Sequence, residues 1–366
     1  MILSEKMALT RRSVLQKTFL ILLFFAMAIP AVLRGGIGND YMRYVAFFHL
    51  ANARAYVPTE WGFNTLVRFL YALCGYENYI LVFAVFAVLT ILFFLRAVCD
   101  QAEHRWFSLF LFVAFGYYFQ IYNTVRYYFA LSLVMMALSM LLKRRYAGFV
   151  LLVLIAALFH KSALIVLLLY PLCMLSWSVK GIIVCGIVIA AASFFRDFWM
   201  RVVVFLYPSY EGTEFLSGGS GSLAQLVRCA AVLALAGIVA FFAARKETVI
   251  ALEEVSSSEE VIFRNRQLRV YTQMQLLALM IYLFGAFIPE VSRIGYYLTF
   301  TQIFLIPMLL YRLPAVKNLK KAAIVLAVCA GLLYFGFFVR EASGPDVRIF
   351  PYRSFLFTEI PEAIVE

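Results

Sequence analysis

Residues 17–33 read KTFLILLFFAMAIPAVL, and residues 34–44 continue with RGGIGNDYMRY. The first stretch is apolar enough to sit in a lipid bilayer as a helix. The second stretch places Arg34, Asp40 and Arg43 just beyond the end of that helix. Because polar residues in this position lie at a membrane surface, the side of the membrane that they face determines what they can bind.

The composition shows that the rest of the chain is built in the same way. Of its 366 residues, 64% are hydrophobic and 14% are charged, and its mean hydropathy is +0.90, whereas a soluble domain carries roughly 25% charged residues. Successive apolar segments predict an all-α, polytopic membrane protein with about 11 transmembrane helices. The predicted segments are 18–33, 78–95, 106–122, 125–142, 146–159, 162–176, 180–195, 223–243, 270–288, 294–310 and 322–339.

Lysine and arginine indicate the orientation, because the cytoplasmic loops of membrane proteins carry an excess of both. The excess lies at the N-terminus and in every second connection, which predicts a cytoplasmic N-terminus and an extracytoplasmic C-terminus. We expect one transmembrane domain, 1–339, with an outer amphipathic segment near 38–75 and a cytoplasmic loop near 244–269. An extracytoplasmic tail, 340–366, follows it. The net charge of +12 reflects this distribution and attraction to membrane lipid, so nucleic-acid binding is not expected.

Cysteine and histidine show no pattern that is typical of a metal or redox site. The six cysteines are scattered without a C-x-x-C pair, and the three histidines form no ligand cluster. Such cysteines ordinarily act as small apolar packing residues. We therefore expect no dedicated metal site and no cofactor, although carboxylates remain available to a divalent ion that arrives with substrate phosphates.

The predicted outer face is rich in arginine and tyrosine. Arginine stays charged and offers a planar fork that binds phosphate or carboxylate through two hydrogen bonds. Together with aromatic faces, it suits a site that handles sugars and phosphates at the membrane surface. The basic residues predicted on this face are Arg34, Arg43, Arg54, Arg68, Arg126, Lys161, Arg196, Arg201, Arg293, Arg340, Arg348 and Arg353.

Several outer segments carry candidate functional residues, each with a plain structural alternative. Asp40 and Tyr44 share one helical face, but Asp40 is also a natural helix N-cap. Arg126 lies near the start of the predicted span 125–142, at its apolar boundary, where arginine is either functional or an anchor that reaches the interface. His160 lies where two apolar segments meet, and it can carry a proton, hold a substrate hydroxyl, or bond to a neighbouring carbonyl.

Two further arginines and the tail complete the candidates. Arg293 either pairs locally or faces the same cavity as Arg126. Arg228 lies inside a predicted span without an evident partner, so an inter-helix hydrogen bond and a functional role are both open. Tyr352 and Arg353 lie in a tail that is expected to fold back over the site.

Six short sequence elements follow one another along the chain. The first three are G-x-D-Y-x-x-Y at Gly38, Asp40, Tyr41 and Tyr44, E-x-G-F at Glu60, Gly62 and Phe63, and R-x-x-x-A at Arg126 and Ala130. The other three are F-H-x-S-A at Phe159, His160, Ser162 and Ala163, R-x-x-Y-Y at Arg293, Tyr296 and Tyr297, and P-Y-[RK] at Pro351, Tyr352 and Arg353. In order and spacing, these elements resemble the EpsG family, which is similar to Wzy-type polysaccharide polymerases, and the resemblance covers most of the chain. One departure is Tyr127, where many relatives have glutamine.

The resemblance implies a GT-C-like membrane glycosyltransferase in the bacterial cytoplasmic (inner) membrane. Such a protein joins polyprenyl-diphosphate-linked oligosaccharide repeat units on the outer face, where a chain-length regulator and a flippase are expected partners. Arg126 and Arg293 would hold the diphosphate, with further substrate contacts from the tail residues Tyr352 and Arg353.

The implied roles leave the catalytic base open between two residues. Either Asp40 or His160 would take the proton of the acceptor hydroxyl. Glu60 and Tyr44 would position the sugar, and the aromatic side chains of the outer face would dock sugar rings.

Other functions remain open at the level of the sequence. A ligase that moves finished glycan, or a transferase that adds one sugar from a lipid-linked donor, would use the same residue types. A flippase of lipid-linked oligosaccharide is expected to show internal repeats and helices broken at the midplane, and the chain shows no clear repeat. A structural assembly subunit is the remaining alternative.

Overall fold

The computed structural model describes residues 2–206, 211–212, 223–244, 259–284, 291–314, 318–344 and 347–357. These residues form helices and connections without a β-strand, apart from one isolated bridge between Arg34 and Ser354. The helices are α1 (Ile2–Leu33), α2 (Tyr41–Asn52), α3 (Trp61–Cys74), α4 (Tyr79–Gln101), α5 (Arg105–Ala114), α6 (Tyr117–Gln120), α7 (Val125–Leu142), α8 (Tyr146–Ala157), a 3-10 helix (Lys161–Ile165), α9 (Val166–Met174), α10 (Val179–Ser193), α11 (Arg196–Leu206), α12 (Leu223–Ala244), α13 (Glu259–Phe284), α14 (Val291–Thr299), α15 (Gln302–Arg312) and α16 (Leu319–Ala342).

Within the described residues, six helical segments are long and apolar enough to cross a membrane, so the all-α, polytopic class is confirmed. The bent pair α10 and α11 makes a seventh if it is one span. Three other predicted spans coincide with shorter apolar helices of 10–17 residues, and the total of eleven stays a prediction. The six segments are Val14–Leu33, Tyr79–Gln101, Val125–Leu142, Leu223–Ala244, Arg293–Arg312 and Leu319–Ala342.

The segments predicted to share a side of the membrane meet at the same end of the helix bundle. At one end, Gln267 Nε2 donates to the carbonyl of Gln101, and Tyr271 Oη donates to Gln101 Oε1, each over 2.8 Å. At the other end, the connections 34–40 and 121–124 contact each other. The 18 residues of α7 separate the ends by ~27 Å, close to the thickness of a bilayer core. Which end faces the cytoplasm stays a prediction, and residues 245–258 of the predicted inner loop lie outside the described residues.

A cluster of phenylalanines joins five elements near the end of the bundle that is predicted to face outward. The ring centroids of Phe48 and Phe63 lie 5.6 Å apart, those of Phe63 and Phe86 5.4 Å, and those of Phe86 and Phe129 5.3 Å. Phe159 closes the cluster at 4.6 Å from Phe129. Offset and edge-to-face pairs of this kind add about 0.5–1.5 kcal/mol each beyond the burial of their area. The phenylalanine cluster therefore fixes α2, α3, α4, α7 and the end of α8 relative to one another.

The predicted amphipathic segment near 38–75 is helical and lies at this end. α3 buries Phe63 and Val67 against the bundle, while Trp61, Phe69 and Leu73 are exposed on its other side. An interfacial helix is expected to present such apolar side chains to lipid.

The C-terminal tail returns to the start of this segment. The amide of Gly38 donates to the carbonyl of Arg348 and that of Asn39 to the carbonyl of Val347, over 3.0 and 3.1 Å. The hydroxyl of Tyr352 donates to the carbonyl of Pro30 over 2.9 Å. Residues 345–346 and 358–366 of the tail lie outside the described residues. Its described part holds the connection after α1 in place.

α3 begins in direct contact with the end of α8. The amide of Gly62 donates to the carbonyl of Leu158 over 2.9 Å, and a Cβ atom at position 62 would lie only 2.7 Å from both the carbonyl oxygen and the Cβ of Leu158. Only glycine lets the two backbones approach this closely.

We expect Gly62→Ala to destabilise the protein by about 1–3 kcal/mol, because the new methyl group must push α3 away from backbone that cannot yield. Gly336→Ala is the matched control, since position 336 is also helical and a Cβ there would meet open space. Unfolding curves in detergent measure both variants. Equal stability of the two would contradict the close contact at Gly62.

Candidate functional site

The centre of the candidate site is an ion pair between Glu60 and Arg126. Glu60 immediately precedes α3, Arg126 is the second residue of α7, and Nη1 of the guanidinium contacts Oε2 of the carboxylate. The Glu60 side chain is 6% exposed. Its second oxygen, Oε1, accepts a hydrogen bond from the amide of Lys161 over 3.1 Å. Glu60 therefore ties the start of α7 to the connection that carries His160.

Arg126 is held from two further sides. Its backbone amide faces the hydroxyl oxygen of Tyr44 at 3.4 Å, and its guanidinium lies 5.5 Å from the centre of the Phe63 ring. The Nε atom is buried without a hydrogen-bond partner. The pairing with Glu60 thus satisfies only part of the guanidinium, and a donor remains for an anion.

A chain of hydrogen bonds begins at His160. Its Nδ1 lies 2.7 Å from Oγ of Ser162, and that oxygen lies 3.0 Å from the hydroxyl of Tyr297. The Tyr127 ring meets the imidazole edge-on, with centroids 5.3 Å apart, and its hydroxyl donates to the carbonyl of Arg293 over 2.6 Å. When Nδ1 donates to Ser162, Nε2 carries the lone pair that a substrate hydroxyl can use.

Asp40 lies at the start of α2, and its carboxylate does not cap that helix. Its backbone amide donates to Oδ1 of Asn123 over 3.2 Å, which fixes it beside the start of α7. Burial raises the pKa of the Asp40 carboxyl, and the positive charges of Arg43, Arg293 and Arg126 oppose that rise. A carboxylate with a raised pKa is a stronger proton acceptor than one in water.

His160 has the opposite electrostatic character. It lies in the connection between α8 and the 3-10 helix, where burial lowers the pKa of its imidazole well below the usual range. The charges of Arg293 and Arg126 act in the same direction. His160 is therefore neutral at physiological pH and serves as a hydrogen-bonding group.

The structure brings together most of the site residues that the sequence predicts. Glu60, Tyr44 and Arg126 are in contact, and Arg126 and Arg293 both act electrostatically on Asp40 and on His160.

The two tail residues lie elsewhere at the same end. Tyr352 bonds to Pro30, and the carbonyl of Arg353 accepts from the amide of Gly35, both next to the buried Arg34. Their predicted contact with substrate stays a prediction.

Three residues of the site were not predicted from the sequence as site residues. Ser162 and Tyr297 complete the hydrogen-bond chain of His160, and Tyr127 contacts its ring edge-on. Ser162 follows His160 by two residues, and Tyr297 follows Arg293 by one helical turn, which was the available signal. Within the described ranges, no group of three or more His, Cys, Asp or Glu side chains could hold a metal ion.

We expect Glu60→Gln to destabilise the protein by about 3–5 kcal/mol, because it leaves the Arg126 charge buried without its partner. The control is Glu260→Gln. Glu260 pairs with Arg264 at 3.6 Å but is 77% exposed, so its loss should cost less than about 1 kcal/mol. Denaturant unfolding in detergent tests this difference, and equal effects would show that the buried pair is not a structural requirement.

Comparison with protein families identifies the chain's relatives. The model of the EpsG family matches residues 17–354, nearly the whole length. No curated protein and no solved structure matches the chain. The matched range includes all the site residues described above. The chain therefore belongs to the EpsG family, and the six long apolar helical segments among its described residues indicate a polytopic membrane protein.

Proposed function

We propose that this protein is a polysaccharide polymerase that joins polyprenyl-diphosphate-linked oligosaccharide repeat units on the outer face of the bacterial cytoplasmic membrane. The observation that carries the proposal is the gathering of Arg126, Arg293, Asp40 and His160 at one end of a helical membrane bundle. This set combines cations for a diphosphate with a proton acceptor for a sugar hydroxyl. Membership of the EpsG family supports a role in polysaccharide synthesis.

The proposed reaction moves a glycan from its lipid carrier to a sugar hydroxyl. The hydroxyl oxygen of the acceptor forms a bond to the anomeric carbon of the donor, and the bond from that carbon to the diphosphate oxygen breaks. The electron pair leaves with the polyprenyl diphosphate. Arg126 and Arg293 stabilise the charge that grows on this leaving group, which is the largest electrostatic demand of the reaction.

The proton of the acceptor hydroxyl passes to Asp40. Both Asp40 and His160 face the arginines, but burial changes their basicity in opposite directions. The raised pKa of Asp40 brings it toward the pH at which the protein works, whereas the lowered pKa of His160 makes the imidazole a poor proton carrier. His160 therefore accepts a hydrogen bond through Nε2 and orients the acceptor sugar.

Three buried tyrosines pack against the polar groups of the site and hold them in place, while the docking of sugar rings on tyrosine faces stays a prediction. Tyr127 and Tyr297 line His160, with centroids 5.4 Å apart, and Tyr44 lies against Arg126. Glu60 acts by orienting Arg126 as well as by contacting a sugar hydroxyl. At the membrane surface, the site is within reach of both the lipid-bound diphosphate and its glycan. We therefore expect membrane lipid to surround it.

The second candidate function is a ligase that transfers finished glycan to another acceptor. It uses the same diphosphate chemistry, so the same residues support it. A flippase would instead need a path for the glycan through the bundle. The clustering of the charged candidate residues at one end favours transfer over transport.

Glycolipid analysis distinguishes these functions directly. The gene is deleted in its own host, and polyprenyl-linked glycans are measured by mass spectrometry. A polymerase predicts one complete repeat unit accumulated on the outer leaflet with polymer absent. Long polymer left on lipid would indicate a ligase, and complete units trapped on the inner leaflet would indicate a flippase.

We expect Arg126→Lys and Arg293→Lys to shorten or abolish the polymer. Each keeps the positive charge but loses the fork that binds diphosphate through two hydrogen bonds. Arg196→Lys is the matched control, because Arg196 belongs to the same predicted face but is exposed on α11. Polymer length on gels is the measurement, with protein level checked in membranes. Unchanged polymer in both site variants would rule out the diphosphate role.

We expect Asp40→Asn to reduce turnover by about 10²–10⁴-fold, the usual contribution of a general base. In the wild type, the rate should fall as the pH drops through the raised pKa of Asp40, because the protonated carboxyl cannot accept a proton. His160→Gln should mainly raise KM for the acceptor and leave this pH limb in place. Polymer synthesis from purified lipid-linked units measures both. A pH limb that survives in Asp40→Asn would assign the base elsewhere.

A further inference from the structure

A second cationic centre lies apart from the ion pair, at Arg228 on α12. Its Nη2 donates to the hydroxyl of Tyr117 over 3.0 Å and to Oε1 of Gln225 over 2.8 Å. The guanidinium lies 4.5 Å from the centre of the Phe115 ring and 5.2 Å from that of Tyr334. Arg228 thus occupies an aromatic box, which we define as Phe115, Tyr117 and Tyr334.

The guanidinium in this box is incompletely satisfied. Arg228 is 8% exposed, and its Nε and Nη1 atoms are buried without a hydrogen-bond partner. Across the parts of the chain that the structure describes, its charge has no carboxylate partner. A buried charge with unused donors inside a spanning helix is costly, and intramembrane arginines ordinarily serve a ligand or an ion path.

A wall of tyrosines connects this box to the candidate site. The ring of Tyr117 lies 6.3 Å from Tyr296, and Tyr296 lies 6.4 Å from Tyr127, centroid to centroid. Tyr127 in turn contacts His160 edge-on at 5.3 Å. Arg228 and His160 therefore lie at opposite ends of one row of packed tyrosine rings, of which Tyr117 and Tyr127 are buried.

Two of the helices around this centre lie at the periphery of the bundle. Arg228 belongs to α12 and Tyr334 to α16, and the apolar windows of these two helices are, together with that of the first helix, the least buried of the spans. Most of the side chains along α16 are exposed or half-buried. A lipid whose headgroup is anionic can therefore approach α12 and α16 directly, and it contacts the buried Nε and Nη1 atoms of Arg228 when the side chains around them move apart.

We propose that Arg228 and its aromatic box form a second binding subsite for the diphosphate of a polyprenyl-linked glycan. The inference rests on the proposed function and extends it. Joining two repeat units requires two lipid-linked substrates at once, and each carries its own diphosphate. Arg126 with Arg293 holds the one that leaves, and Arg228 holds the one that stays attached. The tyrosine wall packs between the two subsites and fixes their separation.

Counting bound lipids tests this assignment. Native mass spectrometry of the full-length protein in detergent is carried out with farnesyl diphosphate as the probe. The wild type should bind two molecules. Arg228→Gln should lose one of them, with its affinity lowered about tenfold or more because charge-assisted hydrogen bonds are removed. Arg201→Gln, an exposed arginine on α11, is the control and should still bind two.

A second measurement does not depend on the folding of any variant. Farnesyl diphosphate that carries a photoreactive group on its chain is crosslinked to the wild type, and the modified peptides are sequenced. Crosslinks on α12 or α16 near the aromatic box support the proposal. Crosslinks confined to other helices contradict it.

The outcomes separate the inference from the function on which it rests. If Arg228→Gln still binds two probes, or if phosphatidylglycerol displaces the second probe equally well, the subsite is wrong while the polymerase proposal stands. If Arg126→Gln and Arg228→Gln each bind one and the double variant binds none, both proposals are supported. If the wild type binds no diphosphate, both fail.

Discussion

The buried ion pair between Glu60 and Arg126 is the interaction on which the predicted outer end of this protein depends. A carboxylate and a guanidinium removed from water are tolerated only when each satisfies the other and further hydrogen bonds complete the set. Glu60 meets this condition by accepting from both Arg126 and the amide of Lys161. One side chain thereby joins α3, α7 and the 3-10 helix. The same interaction that stabilises the fold leaves Arg126 oriented, with one donor unused.

The physical roles of the family elements follow from this arrangement. Gly62 allows α3 to start against Leu158, which brings Glu60 within reach of Arg126. Gly38, at a φ of +91°, lies where a Cβ atom would meet the carbonyl oxygen of Tyr122 at 2.6 Å. These two glycines allow neighbouring backbone segments to approach each other closely, and their role is not to provide flexibility. The polar residues that they position can then act on a substrate without further rearrangement.

Much of the fold could be predicted from the sequence. The apolar segments predict the helical class, and the helices of the described residues confirm it. The number of spans is harder to predict from the sequence. Only the helices that pack beside a short apolar helix, such as α5 or α8, show whether it spans the membrane. For the same reason, sequence periodicity cannot decide whether α10 and α11 make one bent span.

The candidate site was predictable in its members but not in its pairings. Arg126 and Glu60 are 66 residues apart, and neither spacing nor composition links them. Arg228 shows the same limit. Its sequence neighbourhood reveals an arginine in an apolar helix, whereas the missing hydrogen bonds appear only when Phe115, Tyr117 and Tyr334 surround it. Side chains from helices that are distant in sequence form both sites. Their hydrogen bonds and ion pairs are therefore visible only in the folded structure.

We propose that the end of the bundle predicted to face outward transfers glycan from one lipid diphosphate to another repeat unit. The most direct test of this proposal is reconstitution of the purified protein in liposomes with the lipid-linked repeat units extracted from a host strain that lacks the gene. The account predicts a ladder of polymer, with one polyprenyl diphosphate released for each new linkage. Movement of intact units between leaflets without polymer or diphosphate release would contradict it.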